Sequence, residues 1–248
     1  MSIVDAGPAP EPPAEPAPRR PVLRLAVTIV SVLAGLLLVA LAIPRLGAAL
    51  DLASAKPTYD RLQRGDTTVD DAALQAAIAS MTSAFRRSGE PNYGVMLAYL
   101  QLAAADRASA DRARAERHLD EAIATTRETV RVSPANVLAW LMLAMALESK
   151  DPRDPAAVAA LTRAVHVGPY DARMSAYRVA LAMRQWNRLD ASTRRLVSAQ
   201  ILRYATNDPR YLAAMARESF GLPTVHEALR GQPELKARFD AAYLAKPR

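Results

Sequence analysis

The longest apolar stretch of the chain is residues 25–43, LAVTIVSVLAGLLLVALAI, which contains no charged residue. As a helix these nineteen residues span roughly 28 Å at about 1.5 Å per residue, close to the ~30 Å hydrocarbon core of a bilayer. The stretch is apolar around its whole circumference, with Leu36, Leu37 and Leu38 in succession, whereas a soluble helix usually has one polar face. It therefore predicts a single transmembrane helix, with a cleaved signal peptide and a buried soluble helix as the alternatives.

The rest of the chain repeats a helical pattern, in which apolar residues recur at spacings of three and four. The predicted helical segments are 68–87, the hairpins 92–132, 134–169 and 171–206, and the shorter helices 209–220, 223–230 and 233–245. Thr68 or Asp70 is expected to cap the first of these helices. The chain has only nine glycines, and it lacks the alternating β-branched and aromatic residues typical of strands. These patterns predict an all-α fold.

Four segments follow from these patterns: a tail at 1–24, the transmembrane helix at 25–43, a juxtamembrane segment at 44–67 and a helical-repeat domain at 68–248. The tail contains seven prolines, which fix φ and cannot donate a helical hydrogen bond. It is therefore expected to be extended and flexible. Its two PxxP sequences would alternatively suit a protein that reads polyproline segments.

Residues 134–169 carry the clearest repeat. A first helix with Trp140 near its start is separated by a proline-containing turn at 149–155 from a second helix that ends at Gly168-Pro169. This order of large and small side chains resembles a tetratricopeptide repeat (TPR), in which small residues let two helices approach closely. The residues expected to pack this repeat are Trp140, Leu143, Ala144, Leu147, Ala157, Leu161, Ala164 and Pro169. Because one repeat is not stable alone, the neighbouring hairpins are expected to stack on it as a short α-solenoid.

The sequence contains no motif for catalysis, cofactor binding or metal binding. It has no cysteine, which excludes disulfides, thiol nucleophiles and thiolate metal sites. His118, His166 and His226 lie on different predicted helices, and none has a second ligand at a known metal spacing. There is also no GxSxG, phosphate-binding glycine loop or HExxH. The chain is therefore expected to be non-catalytic, without cofactor or metal, and its histidines to be surface or structural residues.

Charge is uneven in residues 171–205, which hold seven arginines against two aspartates. A solvated helical face is the simplest explanation, and a basic surface for lipid headgroups, an acidic glycan or an acidic protein is the functional alternative. Trp186 fits the core, and it would stack on a sugar ring if it were exposed. The candidate partner or glycan contacts are Tyr177, Arg178, Arg184, Trp186, Arg188, Arg194 and Arg195. Nucleic acid is not an expected partner for a domain outside the membrane.

Basic residues flank the apolar stretch on both sides, at positions 19, 20 and 24 before it and at 45, 56 and 61 after it. The three arginines before it are more tightly clustered, and a short tail that stays inside needs no translocation. The N-terminus is therefore expected inside. The excess of arginine over lysine and the abundance of alanine suggest a bacterium. The predicted location is the bacterial inner membrane, with the C-terminal domain in the periplasm.

A longer pattern extends across residues 134–202. It reads Pro-x5-Trp-x2-Leu-Ala, then Ala-x3-Leu-x2-Ala, then Gly168-Pro169-Tyr170, Arg178, Trp186-x2-Leu189 and Arg194-Arg195. This order resembles the VpsP-type polysaccharide biosynthesis proteins, and it is also similar to the periplasmic helical tail of some O-antigen-ligase-like proteins. The resemblance implies a single-anchor envelope protein that accompanies exopolysaccharide assembly. It supplies no catalytic residues.

The function expected from the sequence is that of a membrane-anchored periplasmic scaffold or adaptor, accessory to polysaccharide biosynthesis and export. Its partners would be envelope or polysaccharide-assembly proteins that dock on the concave surface of the solenoid. One alternative is a TPR scaffold for another envelope process, such as cytochrome maturation or cell division. A second alternative is a module that binds an anionic glycan directly.

Overall fold

A computed structural model describes residues 20–171 and 174–245 of the chain. Within these residues the fold is all-α, as predicted, with eleven α-helices and no β-strand. The helices are α1 (Arg20–Gln63), α2 (Asp71–Ser88), α3 (Pro91–Arg107), α4 (Arg112–Val132), α5 (Val137–Lys150), α6 (Pro155–Val167), α7 (Ser175–Gln185), α8 (Ala191–Asn207), α9 (Pro209–Glu218), α10 (Leu222–Ala228) and α11 (Pro233–Leu244). A short 3-10 helix, Trp186–Arg188, follows α7 directly. Most of the predicted proline-rich tail (residues 1–19) and Arg173 of the basic segment lie outside the described residues, whereas residues 20–24 already belong to α1.

The chain divides into two compact units, Met1–Pro44 and Arg45–Arg248. In the first unit, α1 contains the predicted apolar stretch, and its large apolar side chains from Leu25 to Ile43 are 50–67% exposed. The helix is long and apolar enough to cross a membrane, which confirms a candidate membrane helix near the N-terminus. A signal sequence near the N-terminus can meet the same criteria of length and composition, so the retention of this helix stays a prediction.

The segment predicted as a separate juxtamembrane region, 44–67, belongs almost entirely to the second unit. Its helical part carries an apolar stripe that packs against residues of α2 and α3. The stripe consists of Leu52, Ala55, Tyr59 and Leu62. These residues recur every three or four positions and so share one face of α1. Ser83 of α2 also donates a hydrogen bond to the Asp51 carboxylate at 2.7 Å, which ties the two helices together.

Side-chain caps fix where many of the helices begin. The residues whose side-chain oxygen accepts a backbone N–H of the first turn are Asp70, Asp111, Asn136, Asp154, Asp190 and Asp208. Asp70 caps α2, as predicted, and its Oδ1 accepts the Ala73 N–H at 2.6 Å. Gly89 follows the last residue of this helix as its C-cap, and its φ of 62° is a left-handed conformation that glycine adopts without strain.

Helices α2 to α6 pack each against the next along the chain, and α5 also contacts α3 and α7. The predicted packing residues of the repeat at 134–169 lie on α5, on α6 and in the loop after α6. The buried ones are Leu143, Ala144, Leu147, Ala157, Leu161 and Ala164. Trp140 is half-buried, and its Nε1 donates to the Pro134 carbonyl at 2.9 Å. Pro169 is also half-buried.

Helices α3 and α4 approach each other closely at Gly94. A Cβ added there would overlap Thr129 Oγ1 of α4 and would lie 2.9 Å from Cε2 of Phe85 in α2. Thr129 cannot move away freely, because it is fully buried and its hydroxyl donates to the Thr125 carbonyl at 2.8 Å. The absence of a side chain at Gly94 therefore permits the observed distance between the helices.

Candidate interaction surfaces

Arg178, on α7, is the most deeply buried of the predicted contact residues. Its side chain has no exposed surface, and its two terminal nitrogens donate to the carbonyl oxygens of Gly168 and Asp171, each at 2.7 Å. Burial lowers the pKa of the Arg178 guanidinium, and the nearby Asp171 carboxylate opposes this shift. Arg178 therefore holds the loop between α6 and α7, and it does not lie on a surface that a partner can reach.

Trp186 is also in the core, where only 6% of its surface is exposed. Its Nε1 donates to the Glu227 carboxylate at 2.8 Å. The guanidinium of Arg194 lies 5.8 Å from the centre of the Trp186 ring, close enough for a cation–π interaction, and its Nε donates to the Leu189 carbonyl at 2.9 Å. Trp186 and Arg194 thus contribute to packing between α7, α8 and α10, and the tryptophan face is not available to a sugar ring.

Arg184 lies in the last turn of α7 and Arg188 ends the 3-10 helix that follows it, and both face the turn between α5 and α6. Arg184 forms a bidentate ion pair with Glu148, with distances of 2.6 Å from Nε to Oε1 and 3.1 Å from Nη2 to Oε2. Arg188 donates to the carbonyl oxygens of Pro152 and Arg153 at 2.8 and 2.7 Å. These contacts hold the α5–α6 turn against α7.

The same residues line a cleft of about 580 Å³ between the α5–α6 turn, the end of α7 and the end of α9. Its lining carries three guanidinium groups and one carboxylate, so the local net charge is positive. The Arg153 guanidinium is exposed and forms no hydrogen bond or ion pair with another described residue. The lining also includes the Phe220 side chain, which is 88% exposed. We call this site the basic cleft, and its chemistry suits an anionic partner that also presents an apolar group.

Arg195 lies apart from the basic cleft. It is exposed on α8 and forms no ion pair or hydrogen bond with the other described residues. Of the seven predicted contact residues, the structure therefore brings only Arg184 and Arg188 together in an open cleft. The helical periodicity alone does not separate these cases, because an arginine that binds loop carbonyls and one that faces solvent have the same spacing in the sequence.

Tyr177 belongs to a different surface, together with two tyrosines from distant parts of the chain. Tyr59 on α1 and Tyr99 on α3 have ring centroids 5.2 Å apart in an edge-to-face arrangement. With Tyr177 on α7 and the methionines Met142 and Met145 on α5, they line a small cavity of about 50 Å³. We call these five residues the tyrosine face. Tyr177 is 51% exposed, Tyr59, Tyr99 and Met145 are half-buried, and Met142 is buried beneath them with 4% of its surface exposed.

Burial is the main electrostatic influence on the tyrosine face. It raises the pKa of Tyr59 and of Tyr99, and a neighbouring tyrosine adds to each shift: Tyr99 acts on Tyr59, and Tyr177 acts on Tyr99. The hydroxyls of Tyr59 and Tyr99 therefore stay protonated well above neutral pH and can donate hydrogen bonds. The sequence did not point to these two tyrosines because they lie forty residues apart in the chain, and only the packing of α1 beside α3 brings them together.

The three histidines take part in local contacts. His118 lies 3.3 Å from the Glu121 carboxylate, His166 lies 3.1 Å from the Thr193 hydroxyl, and His226 lies 2.7 Å from the Asp240 carboxylate. Each is on a different helix. In the part of the chain that the structure describes, no group of three or more histidine, aspartate or glutamate side chains is arranged to hold a metal ion.

No family model, curated protein or solved structure matches this chain. The resemblance to VpsP-type proteins and to tetratricopeptide repeats therefore stays a prediction from the residues that carry it.

Proposed function

We propose that this protein is a non-catalytic, membrane-anchored adaptor whose TPR-like hairpins stack as a short α-solenoid and hold other envelope proteins. In this proposal the anchor is the apolar part of α1, the N-terminus is inside, and the helical domain lies in the periplasm. The process it serves is exopolysaccharide or other cell-envelope polysaccharide assembly, as the sequence pattern at 134–202 implies.

The observation that carries the adaptor proposal is the tyrosine face. Its members come from four helices, α1, α3, α5 and α7, so a ligand bound there would contact several consecutive hairpins at once. Tyrosine and methionine are enriched in the cores of protein–protein interfaces, because they supply large contact areas at low cost in polar desolvation. This composition is typical of a surface that binds a partner and not of an active site.

Site-specific photo-crosslinking tests this proposal in the intact chain. A benzophenone amino acid placed at position 177 is expected to capture a protein of the polysaccharide-assembly machinery, because this position is 51% exposed at the edge of the tyrosine face. The matched control is the same amino acid at position 195, which is exposed on α8 and outside that face. Equal adducts at positions 177 and 195, or none at 177, would count against the tyrosine face as the docking surface.

Reporter fusions after Arg248 test the location. Activity of a periplasm-active reporter alone agrees with the proposal, whereas activity of a cytoplasm-active reporter alone would reverse the orientation. In that case the partners would have to be sought in the cytosol or at the anionic inner leaflet.

The exposure of Tyr177 also favours a second candidate function, which is direct glycan binding at the tyrosine face. An exposed phenol ring can stack on the apolar face of a sugar while its hydroxyl forms a hydrogen bond. Binding of a purified cell-envelope polysaccharide that is lost in Tyr177→Ala and kept in Arg195→Ala would support this function over protein docking.

A further inference from the structure

Phe220 combines two unfavourable features. Its φ is 53°, and it is the only residue other than glycine with a positive φ among those the structure describes. Its side chain is also 88% exposed, so the ring gains almost no burial in return. Left-handed backbone costs a residue with a side chain roughly 1–2 kcal/mol, and helices that end in this way usually place glycine at this position. Phe220 therefore destabilises the fold without packing against it.

The surrounding turn holds Phe220 in this conformation. The Ser219 N–H still makes an ordinary helical bond to the Met215 carbonyl at 2.9 Å. The Gly221 N–H then donates to the Ala216 carbonyl at 2.8 Å, which is typical of a helix that ends in a left-handed residue. A Cβ on Gly221 would overlap the Met183 sulfur, so the turn packs closely against α7. The position of the ring is thus set by the tertiary structure. A strained residue that its surroundings hold in place is a candidate for function.

The ring stands at the rim of the basic cleft. Three arginines line this cleft, and one of them, Arg153, has a guanidinium with no partner among the described residues, whereas Glu148 is already paired with Arg184. The cleft volume of about 580 Å³ falls within the ~300–1,000 Å³ typical of ligand-binding clefts. Phenylalanine and arginine are also both enriched in protein–protein interfaces relative to the rest of the protein surface.

We propose that the basic cleft is a second docking site, which binds an acidic segment of a partner protein and packs an apolar side chain of that segment against Phe220. Charge complementarity selects the acidic segment, since the Arg153 guanidinium can form a bidentate ion pair with a carboxylate. The concave shape favours a peptide over a bilayer, which presents a flat surface. This site lies on different residues from the tyrosine face, and it does not depend on a role in polysaccharide assembly.

Fluorescence anisotropy with the detergent-solubilised full chain tests this site. The probes are fluorescein-labelled peptides with one phenylalanine or leucine between glutamates, and matched peptides with glutamine in place of glutamate. The glutamate peptides are expected to bind more tightly than the glutamine peptides, and added salt should weaken this binding. Phe220→Gly and Phe220→Ala should each weaken it at least about tenfold, and Arg153→Gln should weaken it as well. Arg195→Gln removes the same charge outside the cleft and should leave the affinity unchanged.

Thermal unfolding of the same variants distinguishes a loss of peptide binding from a loss of stability of the fold. Phe220→Gly is expected to raise the Tm by about 2–8 °C, because glycine relieves the left-handed strain. A lowered Tm would show that the ring supports the fold, which would overturn the proposal. Glutamate peptides that do not bind, or that bind the Phe220 variants as well as the native chain, would overturn it too. So would binding only to phosphatidylglycerol vesicles or only to polygalacturonate, tested in parallel.

Discussion

Replacing Arg178 tests whether this arginine stabilises the fold or binds a partner. In the structure its guanidinium is fully buried and donates to two carbonyl oxygens of the α6–α7 loop, those of Gly168 and Asp171. Arg178→Met keeps much of the side-chain volume but removes both guanidinium hydrogen bonds, while the Gly168 carbonyl keeps the Asp171 N–H as a donor at 3.2 Å. Arg178→Lys keeps the charge, but an ammonium group lacks the planar fork that reaches two acceptors at once. The two variants should therefore differ in stability.

The magnitude follows from these two hydrogen bonds. A hydrogen bond to a charged group contributes about 1.5–3 kcal/mol, and removing the cation also removes the cost of burying it. For Arg178→Met we expect a net loss of about 2–3 kcal/mol in the free energy of unfolding, and about half of that for Arg178→Lys. In a domain of this size 1 kcal/mol changes the Tm by about 2–4 °C, so Arg178→Met should lower the Tm by about 4–12 °C.

Circular dichroism of the full chain in detergent, followed at 222 nm during heating, measures these shifts. Arg195→Met is the matched control, because it removes an exposed arginine with no partner among the described residues, and its effect should stay within about 0.5 kcal/mol. A Tm for Arg178→Met equal to that of the native chain would refute the assignment of Arg178 to the loop. The arginine would then again be a candidate for partner binding.

Three further substitutions test the packing and the caps. Gly94→Ala should destabilise the domain by about 1–3 kcal/mol despite the better helix propensity of alanine, and Thr129→Ala in the same chain should recover part of this loss in a double-mutant cycle. Leu161→Ala should cost about 2–5 kcal/mol in urea unfolding, because the side chain is fully buried in the core. Hydrogen bonds from the Ser192 hydroxyl and from the N–H and hydroxyl of Thr193 lower the pKa of Asp190 in the folded protein. The stabilisation by the Asp190 carboxylate is therefore complete above the unfolded-state pKa of about 4, and it is lost as the pH falls toward the lower pKa of the folded state. The Tm measured against pH should therefore fall less below about pH 4 in Asp190→Asn, which keeps a capping oxygen but does not titrate.

The helix boundaries were largely predictable from the sequence, because local chemistry decides them. Asp70 and Asp111 cap helices where a carboxylate precedes a helical pattern, and the prolines at 209 and 233 begin helices because proline fits the first turn. The candidate membrane helix at 25–43 was equally predictable, since its length and apolar composition are enough to identify it. These features depend only on residues close in the chain.

The two candidate interaction surfaces combine residues that lie far apart in the chain, so only the tertiary structure determines which residues form them. The sequence places Arg178 and Arg195 in one basic segment, but packing buries the first beneath a loop and leaves the second in solvent. Tyr59 and Tyr99 meet only because α1 packs beside α3. Burial and contact across helices depend on how whole elements pack, and hydrophobic periodicity specifies which face of a helix is covered without specifying what covers it.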